Sequence, residues 1–240
     1  MLVHGRNLAK VDRVITDLRQ TTGNTRIEGF TADFSTLAQV RGLAQEVLAR
    51  HPGLEVLINN AGAGSTDPGK SNDGYELRFA VNHLAPFLLT HLLLPALRKA
   101  APARIVNVAS AGQHPIDFED VMMENDFEGF KAYCQSKLAL IMFTIELSAR
   151  LIKDRITVNS LHPGTFLDTN MVRRAGVTPM GDPQTGADAV TFLSVSPELE
   201  AITGKYFDET KEAKAIAQAY DAKARRRLWD LSVRLTGLES

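Results

Sequence analysis

Residues 103–110, Ala-Arg-Ile-Val-Asn-Val-Ala-Ser, decide the architecture. The run is short, rich in apolar and β-branched side chains and closed by a hydroxyl, which suits a strand covered on both faces. Phe127 to Leu151 follows as a helix, and Arg155 to Leu161 as a strand that stops at Pro163-Gly164. Upstream, Asp73 to Lys99 carries a long helical pattern and Leu54 to Ile58 another compact apolar run. Further out, Met1 to Val3 opens the chain. Leu8, Val11, Val14, Ile15 and Leu18 then fall at helical spacing, with Asn7 as N-cap and Gly23 as stop. Thr25 to Asp33 reads as a strand. Ser35 is expected to cap a second helix, whose stripe of Leu37, Val40, Leu43 and Val47 ends before Pro52-Gly53. Beyond the centre, Gly186 to Val195 reads as a helix, Gly204 to Phe207 as a short last strand and Glu212 to Arg234 as a closing helix. Strictly alternating strands and helices predict one doubly wound α/β domain over residues 1–240, a parallel sheet with helices on both faces.

Composition narrows the function classes. Of 240 residues, 44% are hydrophobic and 23% charged, so a folded core is affordable and disorder is excluded. Lys plus Arg is 27 against 28 for Asp plus Glu, a net charge of -1, which argues against a nucleic-acid partner. The most apolar stretch, Ala85 to Leu97, is interrupted by Thr90, His91 and Pro95, so no membrane span is expected. One cysteine and no secretory segment in Met1 to Asn7 predict a cytoplasmic protein.

Ligands of open α/β sheets sit beyond the carboxyl ends of the strands. Here those places hold Arg6, Asp33, Asn59-Asn60-Ala61-Gly62, Ser110 and Pro163-Gly164-Thr165. Tyr133 and Lys137 stand four residues apart on one helix face. A buried ammonium beside a phenol is expected to lower the tyrosine pKa towards the working pH, giving a usable acid/base. Asn82 is a lone amide in an apolar helical stretch, a position where it commonly just bonds backbone. His83, His91 and His162 have no metal-ligand spacing, and no metal site is expected. Cys134 reads as a small core residue and Arg225-Arg226-Arg227 as a solvated helix face. The Leu92-Leu93-Leu94 cluster is helix core or a subunit contact.

Asn59-Asn60-Ala61-Gly62, Asn82, Ile105 to Ser110, Tyr133-Cys-Gln-Ser-Lys137 and His162-Pro-Gly-Thr165, in this order and spacing, resemble the short-chain dehydrogenase/reductase family. His162-Pro-Gly-Thr, Gly186-Ala-Asp-Ala, Ser196-Pro-Glu-Leu-Glu, Gly204-Lys-Tyr-Phe and Leu228-Trp-Asp-Leu-Ser look like its retinol dehydrogenase and WW-domain oxidoreductase branch. The resemblance implies a Rossmann-type fold and interconversion of a carbonyl and an alcohol on a small or hydrophobic substrate. It implies Tyr133 as the acid/base, Lys137 as its pKa-lowering neighbour and ribose ligand, and Ser110 as the group orienting the carbonyl oxygen. Asn82 would hold a water in a proton relay ending at Lys137. Asn60, Ala61 and Gly62 would lie along the adenosine side of the cofactor, Asp33 at the adenine, and Pro163, Gly164 and Thr165 over the nicotinamide. NAD enzymes of this fold carry an acidic residue after the second strand; Arg6 stands there, with no carboxylate until Asp12, so NADP(H) is favoured over NAD(H). Relatives commonly pair through two long helices, so a homo-oligomer is possible.

One family element is absent. No Thr-Gly-x-x-x-Gly-x-Gly turn occurs, and Met1 to His4 matches the family's second strand rather than its first. The missing first strand belongs inside the sheet, so its loss is expected to leave two internal edges unpaired beside an apolar slot. Two readings follow: an oxidoreductase whose 240-residue form starts at an internal methionine of a longer reading frame, or a non-catalytic derivative that binds without effective cofactor contact.

Overall fold

The structure is a computed structural model and describes residues 1–64 and 69–238. Its elements in chain order are β1 (Leu2–Gly5), α1 (Leu8–Thr22), β2 (Glu28–Thr31), α2 (Leu37–Arg50), β3 (Val56–Asn59), α3 (Leu77–Lys99) and β4 (Ala103–Val108). There follow α4 (Gly129–Arg150), β5 (Ile156–His162), a one-turn α5 (Asn170–Arg174), α6 (Pro183–Val195), β6 (Tyr206–Asp208), β7 (Lys211–Ala213) and α7 (Ala222–Thr236). The α/β alternation expected from the sequence is present, with boundaries shifted by a few residues.

The strands form two sheets. β1 and β2 pair in parallel by themselves, and the second sheet runs β3-β4-β5-β6-β7. β3 through β6 are parallel; β7 is antiparallel to β6. Between β1 and β3 lies an open cleft of about 1090 Å³. The two unpaired edges expected from the sequence are therefore present, and the fold closes around the cleft through its helices. Phe30 of β2 and Phe34 just after it join Val40, Leu43 and Val47 of α2, Phe87 and Leu88 of α3, and Ile105 of β4 in one buried cluster.

Several local expectations are corrected. Glu212 to Arg234 is not one helix. The chain turns at Glu209, whose φ of 52° is left-handed, pairs β7 back onto β6, and starts α7 only where Asp221 caps the amides of Lys223 and Ala224. Asp221 followed by Ala-Lys-Ala was the start signal, and the helical reading overran it. The N-cap of α2 is Thr36, not Ser35, and its side chain makes no capping bond; Asn72 holds both residues instead, through Nδ2 to Thr36 Oγ1 at 2.7 Å and to Ser35 Oγ at 3.3 Å. The arginine run is a solvated face at Arg226 and Arg227, which are exposed, but not at Arg225, which is half-buried. Arg225 reaches Glu146 of α4 and the Ala219 carbonyl, because α7 lies across α4, and the exposed Arg227 reaches Glu119 and stacks on Phe118.

α3 runs unbroken through Pro95 and is the one helix among the described residues long and apolar enough to cross a bilayer. Of its most apolar window, 78% is buried inside the fold. Its Phe87 and His91, with Phe143 of α4, receive Trp229 of α7 at ring distances of 5.1, 5.0 and 6.1 Å. Arg150 closes this cluster from the other side, 3.9 Å from the indole.

Candidate active site

β4 ends at Val108, and Ser110 follows within two residues, 9% exposed. Its backbone carbonyl is fixed from two directions: Tyr206 Oη donates to it at 3.1 Å and Gln113 Nε2 at 3.2 Å. Its Oγ accepts the Gly112 amide at 3.0 Å. A Cβ on Gly112 would stand 3.2 Å from Cys134 Sγ and 3.5 Å from Ser110 Oγ, so a side chain there would press on the thiol by a few tenths of an ångström.

The first turns of α4 bring Tyr133 and Lys137 to the same end of the sheet. Tyr133 is half-buried and lies beside the Ser110 side chain. Lys137 is 4% exposed and donates from Nζ to the Val108 carbonyl at 2.8 Å. Burial pushes its ammonium down to about 8. The phenol moves the other way from the sequence expectation: burial raises the Tyr133 pKa, and the Ser110 side chain only partly offsets it. The physical reason is that the Lys137 ammonium is directed to a carbonyl and sits 5.8 Å from the phenol ring centroid, where its charge does little for the phenolate.

Asn82 occupies a π-helical turn, Ala80–Leu84, inside α3, a local widening that the sequence pattern did not reveal. It is fully buried. Its Oδ1 accepts the Ala63 amide at 2.7 Å, and its Nδ2 donates to the Ala63 carbonyl at 3.0 Å and to Ser136 Oγ at 2.9 Å. Asn82 thus clamps the segment after β3 onto α4. That segment, Asn60, Ala61 and Gly62, is exposed and passes beside the lysine: a Cβ on Gly62 would lie 3.4 Å from Asn82 Oδ1 and 3.6 Å from Lys137 Nζ. Asn59 is different from its neighbours. It is buried and bonds Thr90 and Asn107, and Asn107 bonds Thr144, so it ties β3 to β4 and to both long helices.

Pro163, Gly164 and Thr165 follow β5 at the same end, with His162 Nε2 within 3.1 Å of Thr165 Oγ1. Gly164 has φ 129°, a conformation that L side chains avoid. Cβ atoms at Gly164, Gly181 and Gly186 would each come within 2.9 Å or less of the Leu167 side chain. Three glycines therefore make a socket for Leu167 and anchor the segment that carries α5. From α5, Met171 reaches over the β3 segment; Cβ atoms at Gly64 and Gly62 would meet it at 2.6 and 3.6 Å. The sequence reading missed Met171, Ala63 and Tyr206. The small residues of Gly62-Ala63-Gly64 were the only signal of so close an approach.

Arg6 and Asp33 stand apart from this cluster, after β1 and β2. Arg6 is exposed. Asp33 is half-buried, and its Oδ1 accepts the Ser35 amide at 2.9 Å.

A family profile described as short chain dehydrogenase matches residues 1–178. The chain belongs to the short-chain dehydrogenase family. Retinol dehydrogenase 13 of Homo sapiens is 38% identical over 98% of this chain and 76% of its own length; retinol dehydrogenase 11 of Homo sapiens is 38% identical over 97% and 76%. Among solved structures, an uncharacterized protein from Mycobacterium paratuberculosis matches with a TM-score of 0.79 and 29% identity, over 99% of this chain and 84% of that one. A Pseudomonas aeruginosa RhlG/NADP active-site complex matches at 0.67 and 26%, over 86% and 83%. As a short-chain dehydrogenase, the protein is an NAD(P)-dependent oxidoreductase that acts on the carbonyl/alcohol pair of a small molecule.

The nicotinamide cofactor fits one end of this site and finds less at the other. At the redox end, a buried ammonium, exposed backbone at 60–62 and a side-chain-free approach at Gly62 make a cradle for a ribose. At the pyrophosphate end, no strand fills the slot between β1 and β3 among the described residues, so no helix N-terminus starts from that slot.

Proposed function

We propose that this short-chain dehydrogenase interconverts a carbonyl and an alcohol on a hydrophobic substrate with NADP(H), using Ser110, Tyr133, Lys137 and Asn82. The observation that carries the reading is the convergence of Ser110, Tyr133 and Lys137 at the carboxyl end of β4, with the phenol beside the serine and the lysine buried and held to the Val108 carbonyl. When bound, the cofactor supplies or accepts the hydride. The chain does the rest. Ser110 orients the substrate oxygen, and Tyr133 Oη gives that oxygen its proton in reduction or takes it in oxidation. Burial keeps the phenol protonated at neutral pH, which favours the donating direction. Lys137 holds a positive charge behind the phenol up to about pH 8 and offers Nζ to the ribose at Gly62. Asn82 acts by fixing Ala63, and so the line of Asn60, Ala61 and Gly62 along the cofactor.

Arg6 supports the choice of NADP(H): it is free to meet a 2′-phosphate at the end of β1. In this reading Asp33 faces the adenine, and Pro163, Gly164 and Thr165 close over the nicotinamide. The retinol dehydrogenase relatives support an extended hydrophobic substrate, and the exposed Phe130, Phe166 and Met180 provide apolar surface for one. The single buried thiol, Cys134, is consistent with action in the cytoplasm. Self-association would run through the two long helices, α3 and α4.

The test is Tyr133→Phe, assayed as NADPH oxidation against a panel of hydrophobic aldehydes and ketones. Turnover should fall by about three orders of magnitude, with the melting temperature unchanged. Undiminished turnover would remove the phenol from the mechanism.

A further inference from the structure

The π turn of α3 carries two consecutive polar residues that face different neighbours. Its defining bond runs from the Ala85 amide to the Ala80 carbonyl, so one more residue is wound into this turn than an α-helix would hold. Asn82 turns towards Ala63 and α4. His83, about 100° further round the helix, turns towards α7, where its Nε2 lies 2.7 Å from Ser232 Oγ. Both side chains are fully buried.

The bond to Ser232 can run in one direction only. The hydroxyl proton of Ser232 is donated to the Leu228 carbonyl at 2.8 Å, so its Oγ accepts from His83 Nε2–H. The imidazole is neutral, because burial pushes its pKa down to about 3, and Nδ1 therefore carries a lone pair. That atom is buried and finds no hydrogen-bond partner among the described residues. The polar hold on the ring is thus a single bond, made to a helix 149 residues further along the chain. Around it stand Phe79, Phe87 and Phe143, at ring distances of 5.0, 6.0 and 6.2 Å. These rings would pack an apolar side chain equally well, so what the imidazole adds is its donor.

Unwinding the extra residue would rotate one part of α3 against the other by about 100° and carry Asn82 away from Ala63. Two anchors oppose this: the Asn82 amide on one side and the His83–Ser232 bond on the other. α7 keeps its seat by other means. Tyr75 Oη donates to the Leu235 carbonyl at 2.9 Å, Arg225 pairs with Glu146 at 3.4 Å, and Trp229 packs on Phe87. The last helix is therefore a fixed post, and the bond acts on the π turn.

We propose that His83 is a positioning residue: anchored to Ser232 of α7, it holds the π turn in the register that keeps Asn82 on Ala63, and so sets how tightly the nucleotide is held along residues 60–62. The inference rests on the reading of that segment as the cofactor's line, but its first readout needs no cofactor.

Three variants of the ¹⁵N-labelled full chain test it. His83→Leu removes the donor, Ser232→Ala removes the acceptor, and His83→Gln keeps an N–H donor near the place of Nε2. Exchange of the Ala63 amide, which donates to Asn82 Oδ1, should quicken about tenfold in the first two. It should stay within threefold of the parent in His83→Gln. Unchanged Ala63 exchange in His83→Leu and Ser232→Ala overturns the proposal. So does an equal change at Val106 of β4, the mark of a general loss of stability. Equal quickening in His83→Gln also overturns it, because the packing of the ring and not its donor would then be responsible. The KM for NADPH should rise at least fivefold in His83→Leu and Ser232→Ala, with kcat lowered less than twofold; an unchanged KM rejects the link to the nucleotide. A parent chain that oxidises NADPH with no carbonyl fails the catalytic reading instead, and the exchange series still decides whether His83 holds the turn.

Discussion

β4 and β1 are both short apolar strands flanked by helices, yet their surroundings differ. β4 is bonded along both edges, to β3 and β5, and five of its six residues are buried. β1 is bonded along one edge, and none of its four residues is fully buried. Ser110, Tyr133, Lys137 and Asn82 all belong to the first environment or to helices packed on it. Arg6 and Asp33 belong to the second. The comparison teaches that the proposed acid/base residues stand on the well-paired half of the sheet, while the residues proposed to choose between dinucleotides stand on the half held by fewer bonds.

Hydrogen exchange tests that contrast most strongly. Amides of β4 and β5 should exchange about a thousandfold more slowly than those of β1 and β2, because the smaller sheet opens without disturbing the larger. Equal protection in native-state exchange would break the comparison. Truncation in the two cores comes next. Ile105→Ala, 1% exposed in β4, should cost about 3 kcal/mol in urea unfolding, and Val3→Ala, half-buried in β1, about 1 kcal/mol. Equal costs would mean that the cleft is more tightly closed than its edges indicate.

The pH profile sharpens the chemical side. Reduction needs the proton on Tyr133, and a raised phenol pKa keeps it there, so the reductive rate should be flat between pH 6 and 8. Oxidation needs the phenolate and should rise about tenfold per pH unit over the same range. An oxidative rate that levels off below pH 8 would mean that the lysine lowers the phenol after all. The smallest effect belongs to the β1 side: Arg6→Ala should reduce the NADPH-to-NADH ratio of kcat/KM about tenfold, and an unchanged ratio would place the phosphate elsewhere.

Much of this was legible in the residues. The Ala103 to Ser110 run, the Tyr133/Lys137 spacing and the Asn59 to Gly62 turn revealed the alternation of strands and helices and the ends where ligands gather, because periodicity and position after a strand are local signals. The unpaired edges were legible too, from a turn that is not there. What escaped depends on distant partners. The π turn around Asn82 exists to reach Ala63 and Ser136, 19 and 54 residues away. The direction of the Tyr133 shift depends on where the Lys137 ammonium is spent, and the Val108 carbonyl lies 29 residues from it. β7 was hidden inside a charged stretch that fits helix and hairpin alike, and only its pairing with β6 decides between them.

The chain has a single tryptophan, and it sits where the carboxyl-terminal helix meets the two long core helices, with a guanidinium 3.9 Å from the indole. Ultraviolet emission from this protein therefore carries one signal: whether that last helix is seated, read without any label.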